Sequence, residues 1–151
     1  MKKLIIPILL IIIILEGYFL ISSKNSEKNI PSREIRIGYT YFHNPDQINF
    51  KKVITDFKNQ NDVDFIESIF WGAETISNPN VNVKFPDVHL FINSPRQGTL
   101  ILNARVWFNN EGAILATSAD VNWHKVYFRK INKLESDYFK KVINFKQKSV
   151  K

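Results

Sequence analysis

Cysteine is absent from all 151 residues, which excludes a disulfide framework, a thiolate metal site, a cysteine nucleophile and thiol-linked lipid attachment. Glycine is scarce, five residues in the whole chain, and none sits in a phosphate-cradling loop or a Gly-x-Ser-x-Gly nucleophile turn. Neither a His-Glu-x-x-His pair nor a calcium loop occurs. With three histidines, any chemistry short of an all-carboxylate site must pass through His43, His89 or His124. Arginine is thin, five against sixteen lysines, and no Asn-x-Ser/Thr acceptor free of proline occurs. Together with many Asn and Ile, this reads as an AT-rich bacterial coding bias.

One long apolar run is present. Met1-Lys2-Lys3 precedes Leu4 to Leu15, all Leu, Ile and a single Pro, and after Glu16-Gly17 the run resumes at Tyr18 to Ile21. A buried core helix is a poor explanation, because a run with no polar face needs protein on every side. The pattern predicts membrane insertion through residues 4–21, roughly 27 Å of helix at about 1.5 Å per residue. Residues 1–23 therefore read as a signal-anchor or transmembrane helix of a bacterial envelope protein. Its domain would lie on the extracytoplasmic side, in the periplasm or at the cell surface. A cleaved signal peptide and secretion form the alternative, with Ser22-Ser23 a mediocre cleavage site because Ile21 stands at its third position. The flanking charge opposes this sidedness, since Lys24, Lys28, Arg33 and Arg36 outnumber Lys2 and Lys3.

Residues 24–33 are polar and carry a proline, the composition of a linker, and residues 34–151 read as a single α+β domain. Glu34 to Phe42 alternates Ile35, Ile37, Tyr39 and Tyr41 with smaller or polar residues, a strand with one buried face. Asn44-Pro45-Asp46 resembles a helix start, and Phe50, Val53, Ile54 and Phe57 follow at helical spacing to about Gln60. This predicts one helix after the first strand. Asp62 to Ile76 fits either period, and its aromatic and β-branched content tips it toward strand. An antiparallel β-meander follows over 83–94, 99–108 and 113–119, with turns at 95–98 and 109–112; Pro86 places its strand's start late or at an edge. Val121 to Ile131 is a fourth strand or the start of the last helix. From Lys133 a basic C-terminal helix carries Leu134, Tyr138, Val142 and Phe145 on one stripe.

The net charge of +7 is uneven. Residues 124–151 hold nine Lys/Arg against two acids, whereas residues 24–123 hold ten against eleven. Lys133, Lys140, Lys141, Lys146 and Lys148 border the apolar stripe, so this helix is expected to dock on the sheet and solvate its lysines, a placement compatible with attraction to anionic lipid headgroups. Nucleic acid is not expected as a partner, because arginine is scarce and an exported domain rarely meets it.

In the middle strand Asn103, Arg105 and Trp107 share the face opposite Leu100, Leu102, Ala104, Val106 and Phe108, and a tryptophan on a polar face marks a surface for a protein or ligand. Asp87 and His89 stand two apart, on one face if extended, an arrangement that can orient a general base or supply two metal ligands. More often such a pair is a simple hydrogen-bonding pair, and two ligands do not make a metal site. His43-Asn44-Pro45-Asp46 is accounted for by helix capping. No cofactor, metal or catalytic residue is assigned. The leading expectation is a small envelope-anchored or exported binding protein without catalytic activity. The alternatives are an immunity-type inhibitor of an envelope toxin and an enzyme using Asp87 and His89.

Overall fold

The computed structural model describes residues 11–18, 29–41, 44–120 and 122–146. It comprises two compact units, Met1–Pro31 and Ser32–Lys151. In the first, the described part of helix α1 covers residues 11–18. This corrects the expected membrane span: among the described residues no helix is long and apolar enough to cross a membrane. The hydrocarbon core of a bilayer needs about 20 apolar helical residues. The signal-anchor and transmembrane-helix assignments fall with that span, whose residues 4–10 and 19–21 lie outside the described residues.

The second unit is α+β, with seven antiparallel strands in the order β2-β1-β4-β5-β6-β7-β3. They are β1 (Glu34–Tyr41), β2 (Asn44–Thr55), β3 (Glu74–Ile76), β4 (Val88–Ser94), β5 (Thr99–Phe108), β6 (Gly112–Ser118) and β7 (Val126–Asn132). The expected meander is present as β4 to β6, and the segment left open between strand and helix is β7. Helix α2 (Asp56–Gly72) and helix α3 (Lys133–Ile143) complete the unit.

Between β1 and α2 the local expectation is inverted. The segment expected to be the first helix is strand β2, and the segment tipped toward strand is largely α2. The cause is a bulge: Ile37 pairs with Lys52 and Gly38 with Phe50, so Lys51 is an extra residue. Phe50 and Val53 then fall on the same sheet face, opposite Gly38 and Arg36. A spacing of three on one face imitates a helix. Pro45 stands at the start of the strand, where a missing N–H is tolerated. In α2, Val63, Ile66, Ile69 and Phe70 are the buried residues, the i, i+3, i+6, i+7 pattern of a helix face. The backbone breaks at Asn59, which has φ −145° and ψ 63°.

The core lies between the helices and one sheet face. Ile35, Ile37, Val88, Leu90, Ile92, Ala104 and Val106 are fully buried from the sheet, as are Val63, Ile66 and Phe139 from the helices. Removing each such large side chain from water contributes about 1.5–3 kcal/mol. Helix α3 starts with a capping box: the Asn132 side chain accepts from Glu135 N, and the Glu135 carboxylate accepts from Asn132 N. It ends at Asn144 in the left-handed region, φ 57°. Its contact stripe differs from the one expected. Ser136, Phe139 and Ile143 are buried, while Leu134 is 82% exposed and Tyr138 only part covered. Ser136 passes as polar in the pattern, yet its hydroxyl donates to the Gly112 carbonyl at 3.0 Å. Gly112 has φ +153°, and a Cβ there would lie 2.0 Å from the Ile131 oxygen, so this β6–α3 junction requires glycine.

Candidate functional site

With α2 and α3 both packed on one face, neither of them covers the other face of the sheet. Antiparallel register assigns its residues directly, because cross-strand partners share a face. One row runs Val53, Arg36, Phe91, Asn103, and the next Phe50, Gly38, His89, Arg105, Ala116. Gly38 makes room here: a Cβ on it would stand 2.4 Å from Ile48 Cγ2 and 3.3 Å from the Phe50 ring. Phe50 packs edge-on against Phe91 at 5.4 Å between centroids. Despite this pairing Phe50 remains 46% exposed, Val53 54%, Leu100 54% and Ile101 42%. Leu100 pairs with Asn93 in the row beyond Phe91. Arg36 Nε meets Glu34 at 2.5 Å on the same face.

The opposite half of this face is covered by the chain itself. Arg105 and Trp107 are brought together as expected from their alternation in β5, and both bind the segment leading into β4. Arg105 Nη1 donates to the Val83 carbonyl at 2.5 Å. Trp107 Nε1 donates to the carbonyls of Asn82 and Phe85 at 3.2 and 3.1 Å. The Arg105 guanidinium also lies 3.8 Å over the ring of Trp123, a residue held at φ 60°. The connection carrying Trp123 is shaped by Asp120, whose carboxylate accepts from Lys125 N at 2.9 Å and His124 N at 3.1 Å. Those backbone bonds, from Lys125 first, hold its carboxyl below the usual range. Asn103 remains half-exposed at the border between the covered and open halves.

Asp87 and His89 make separate bonds. The Asp87 carboxylate accepts from Phe108 N at 2.7 Å and so extends the β4–β5 pairing. His89 is buried, with Nε2 3.0 Å from Thr40 Oγ1. Burial first and the neighbouring Arg105 charge second lower its pKa to about 4. The imidazole is therefore neutral at pH 7. His124 is exposed beside Asp120 at 3.7 Å, and His43 lies outside the described residues.

The basic helix docks on the core and keeps most of its lysines wet. Lys133 and Lys140 pair with Asp137 at 3.1 and 3.7 Å, and Lys140 also lies over the Phe108 ring at 5.0 Å. Lys141 and Lys146 are exposed, and Lys148 lies outside the described residues. A groove of about 630 Å³ opens between β3, the β6–β7 end and the start of α3. Its polar side chains serve local structure: Glu74 pairs with Lys130 at 3.1 Å, Glu135 closes the capping box, and Asn109 Oδ1 accepts from Glu111 N and Gly112 N.

Two features escaped the sequence reading. The Phe50–Val53–Phe91 patch was hidden by the helical reading of 44–60, although Phe91 inside the apolar run Leu90 to Ile92 put an apolar residue on each face of its strand. Arg33, taken as linker, bridges Asp64 and Glu67, each at 2.7 Å, and so ties the entry of β1 to α2. No family model, curated protein or solved structure matches the chain.

Proposed function

We propose that this is a small binding protein without a catalytic centre of its own, whose contact surface for another protein is the open half of the helix-free sheet face. The exposure of Phe50, Val53 and Leu100 on that face carries the reading. Isolated exposed apolar residues are ordinary, but several gathered on one sheet face among polar and charged residues mark an interaction surface. Arg36 stands between Val53 and Phe91 in its row and Glu34 in the row beside it, while Asn103 borders the covered half. Arg105 and Trp107 belong to the site as its boundary, since they fasten the segment that covers the other half. The compartment is proposed to be extracytoplasmic with removal of the apolar leader, on the strength of Lys2-Lys3 and the run that follows. A reporter fused to the C-terminus is expected to be active only outside the cytoplasm.

Photo-crosslinking residues placed separately at Phe50, Leu100 and Leu134 test the contact face. Leu134 is the control, 82% exposed on α3 in the helix layer. Adducts of one defined mass from positions 50 and 100, and none from 134, are expected in cells of the native host. Equal adducts from all three positions would remove the face from consideration.

A further inference from the structure

We propose that the open edge of β2 accepts an extended segment of a partner protein in which acidic and apolar residues alternate. The proposal rests on the contact-face reading above and adds the chemistry of the partner. Strand β2 ends the sheet, and among the described residues no strand lies beyond it. It is twelve residues long, against three for β3 at the opposite end. A long edge presents a row of backbone N–H and C=O groups at about 3.3 Å per residue, and an added strand satisfies them.

The two faces of that edge differ in chemistry. On the helix-free face, Phe50 and Val53 are about half exposed, so every second residue of an added strand would lie beside apolar carbon. On the helix face, Lys52 Nζ donates to the Val142 carbonyl at 2.5 Å, which brings the end of α3 to β2. Lys141 and Lys146, both exposed, are within four residues of that contact, and Lys51 is exposed at the bulge. Apolar on one side and basic on the other, the edge complements a strand that alternates in the same way with the opposite charge.

A second copy of this chain is the poorer occupant. An antiparallel two-fold pairing of β2 would bring Lys51 and Lys52 toward their own copies, and like charges directly opposite destabilise a ladder. An acidic strand turns the same lysines from obstacle to anchor.

The test titrates the full-length, nitrogen-15-labelled chain at low salt with a capped peptide of alternating Glu and Val, about eight residues long to match the edge. Amide shifts concentrated on residues 48–55 are expected. Binding should weaken at least about tenfold with a Lys-Val peptide of the same length and with Lys51→Glu, as expected of charge pairs in cross-strand contact. Lys51→Gln should fall between. No shift in β2, equal binding of the Lys-Val peptide, or concentration-dependent shifts of β2 without peptide would each overturn the proposal. Crosslinks from positions 50 and 100 alongside an inert β2 edge would leave the contact face standing and remove only the strand partner; loss of both would remove the face as well.

Discussion

His89 shows how a spacing in the sequence fixes less than the fold does. Two residues from Asp87, it is expected only to share that residue's face if the segment is extended; the register with Gly38 and Arg105 puts it on the helix-free face of the sheet. What that spacing cannot show is that the ring is buried, to 2% exposure, beside Thr40 and Arg105. A neutral, buried imidazole beside a guanidinium has a consequence for stability. Its pKa is near 4 in the folded chain and about 6.5 when unfolded, so below pH 6.5 the unfolded chain takes up a proton that the folded chain refuses. Stability from this residue is present above pH 6.5 and is lost as the pH falls toward 4. After discounting for solvent screening, the loss is about 2 kcal/mol. Urea unfolding at intervals across that window should show the decline in the wild type and a shallower one in His89→Gln, the carboxylates being common to both. Parallel curves would mean that His89 titrates as it does in water.

Elements were legible where the local period and the tertiary environment agree. The β4–β6 meander has turn residues at Pro95 to Gly98 and Asn109 to Gly112, and alternation between them, so β5 and β6 stand at the expected bounds to within a residue, while β4 starts at Val88 rather than 83. Strand β2 was not legible, because the extra residue at Lys51 shifts the alternation by one and gives Phe50 and Val53 a helical spacing. In α3 the start was plain but the buried face was displaced, since Ser136 is buried through its bond to the Gly112 carbonyl rather than through apolar area. The same helix offers a clean energetic test. Asn132→Ala removes the acceptor for Glu135 N and should lower stability by about 1 kcal/mol, with the loss visible as faster amide exchange in the first turn of α3. Asn132→Ser, which keeps a capping oxygen, should recover most of it; if it does not, the backbone alone sets the start of the helix.

At the scale of the molecule, the sheet has one face occupied by two helices and another divided between a self-covered half and an open half. Sequence periodicity identifies two faces and cannot say which loops return to cover one of them, so Asn103, Arg105 and Trp107 were recognised as a set without their occupant. Residues 77–86 contain little regular structure: Val81 N bonds Pro79 O and Phe85 N bonds Asn82 O, while the ties to the sheet come from Arg105 and Trp107. The segment is therefore fastened by side chains rather than by a strand ladder, and its local opening should cost much less than global unfolding. Arg105→Ala with Trp107→Phe removes those donors while leaving the buried helix-side face of β5, Leu102, Ala104 and Val106, unchanged. Limited proteolysis should then cut within 78–86 at least about tenfold faster, the ratio that a loss of about 1.4 kcal/mol in local closing free energy produces. Amide exchange in β4 and β5 beneath the helices should change far less, which separates release of the covering segment from general unfolding. If cleavage and core exchange accelerate together, the segment is part of the cooperative core and the division of the sheet face into a fixed and an open half does not hold.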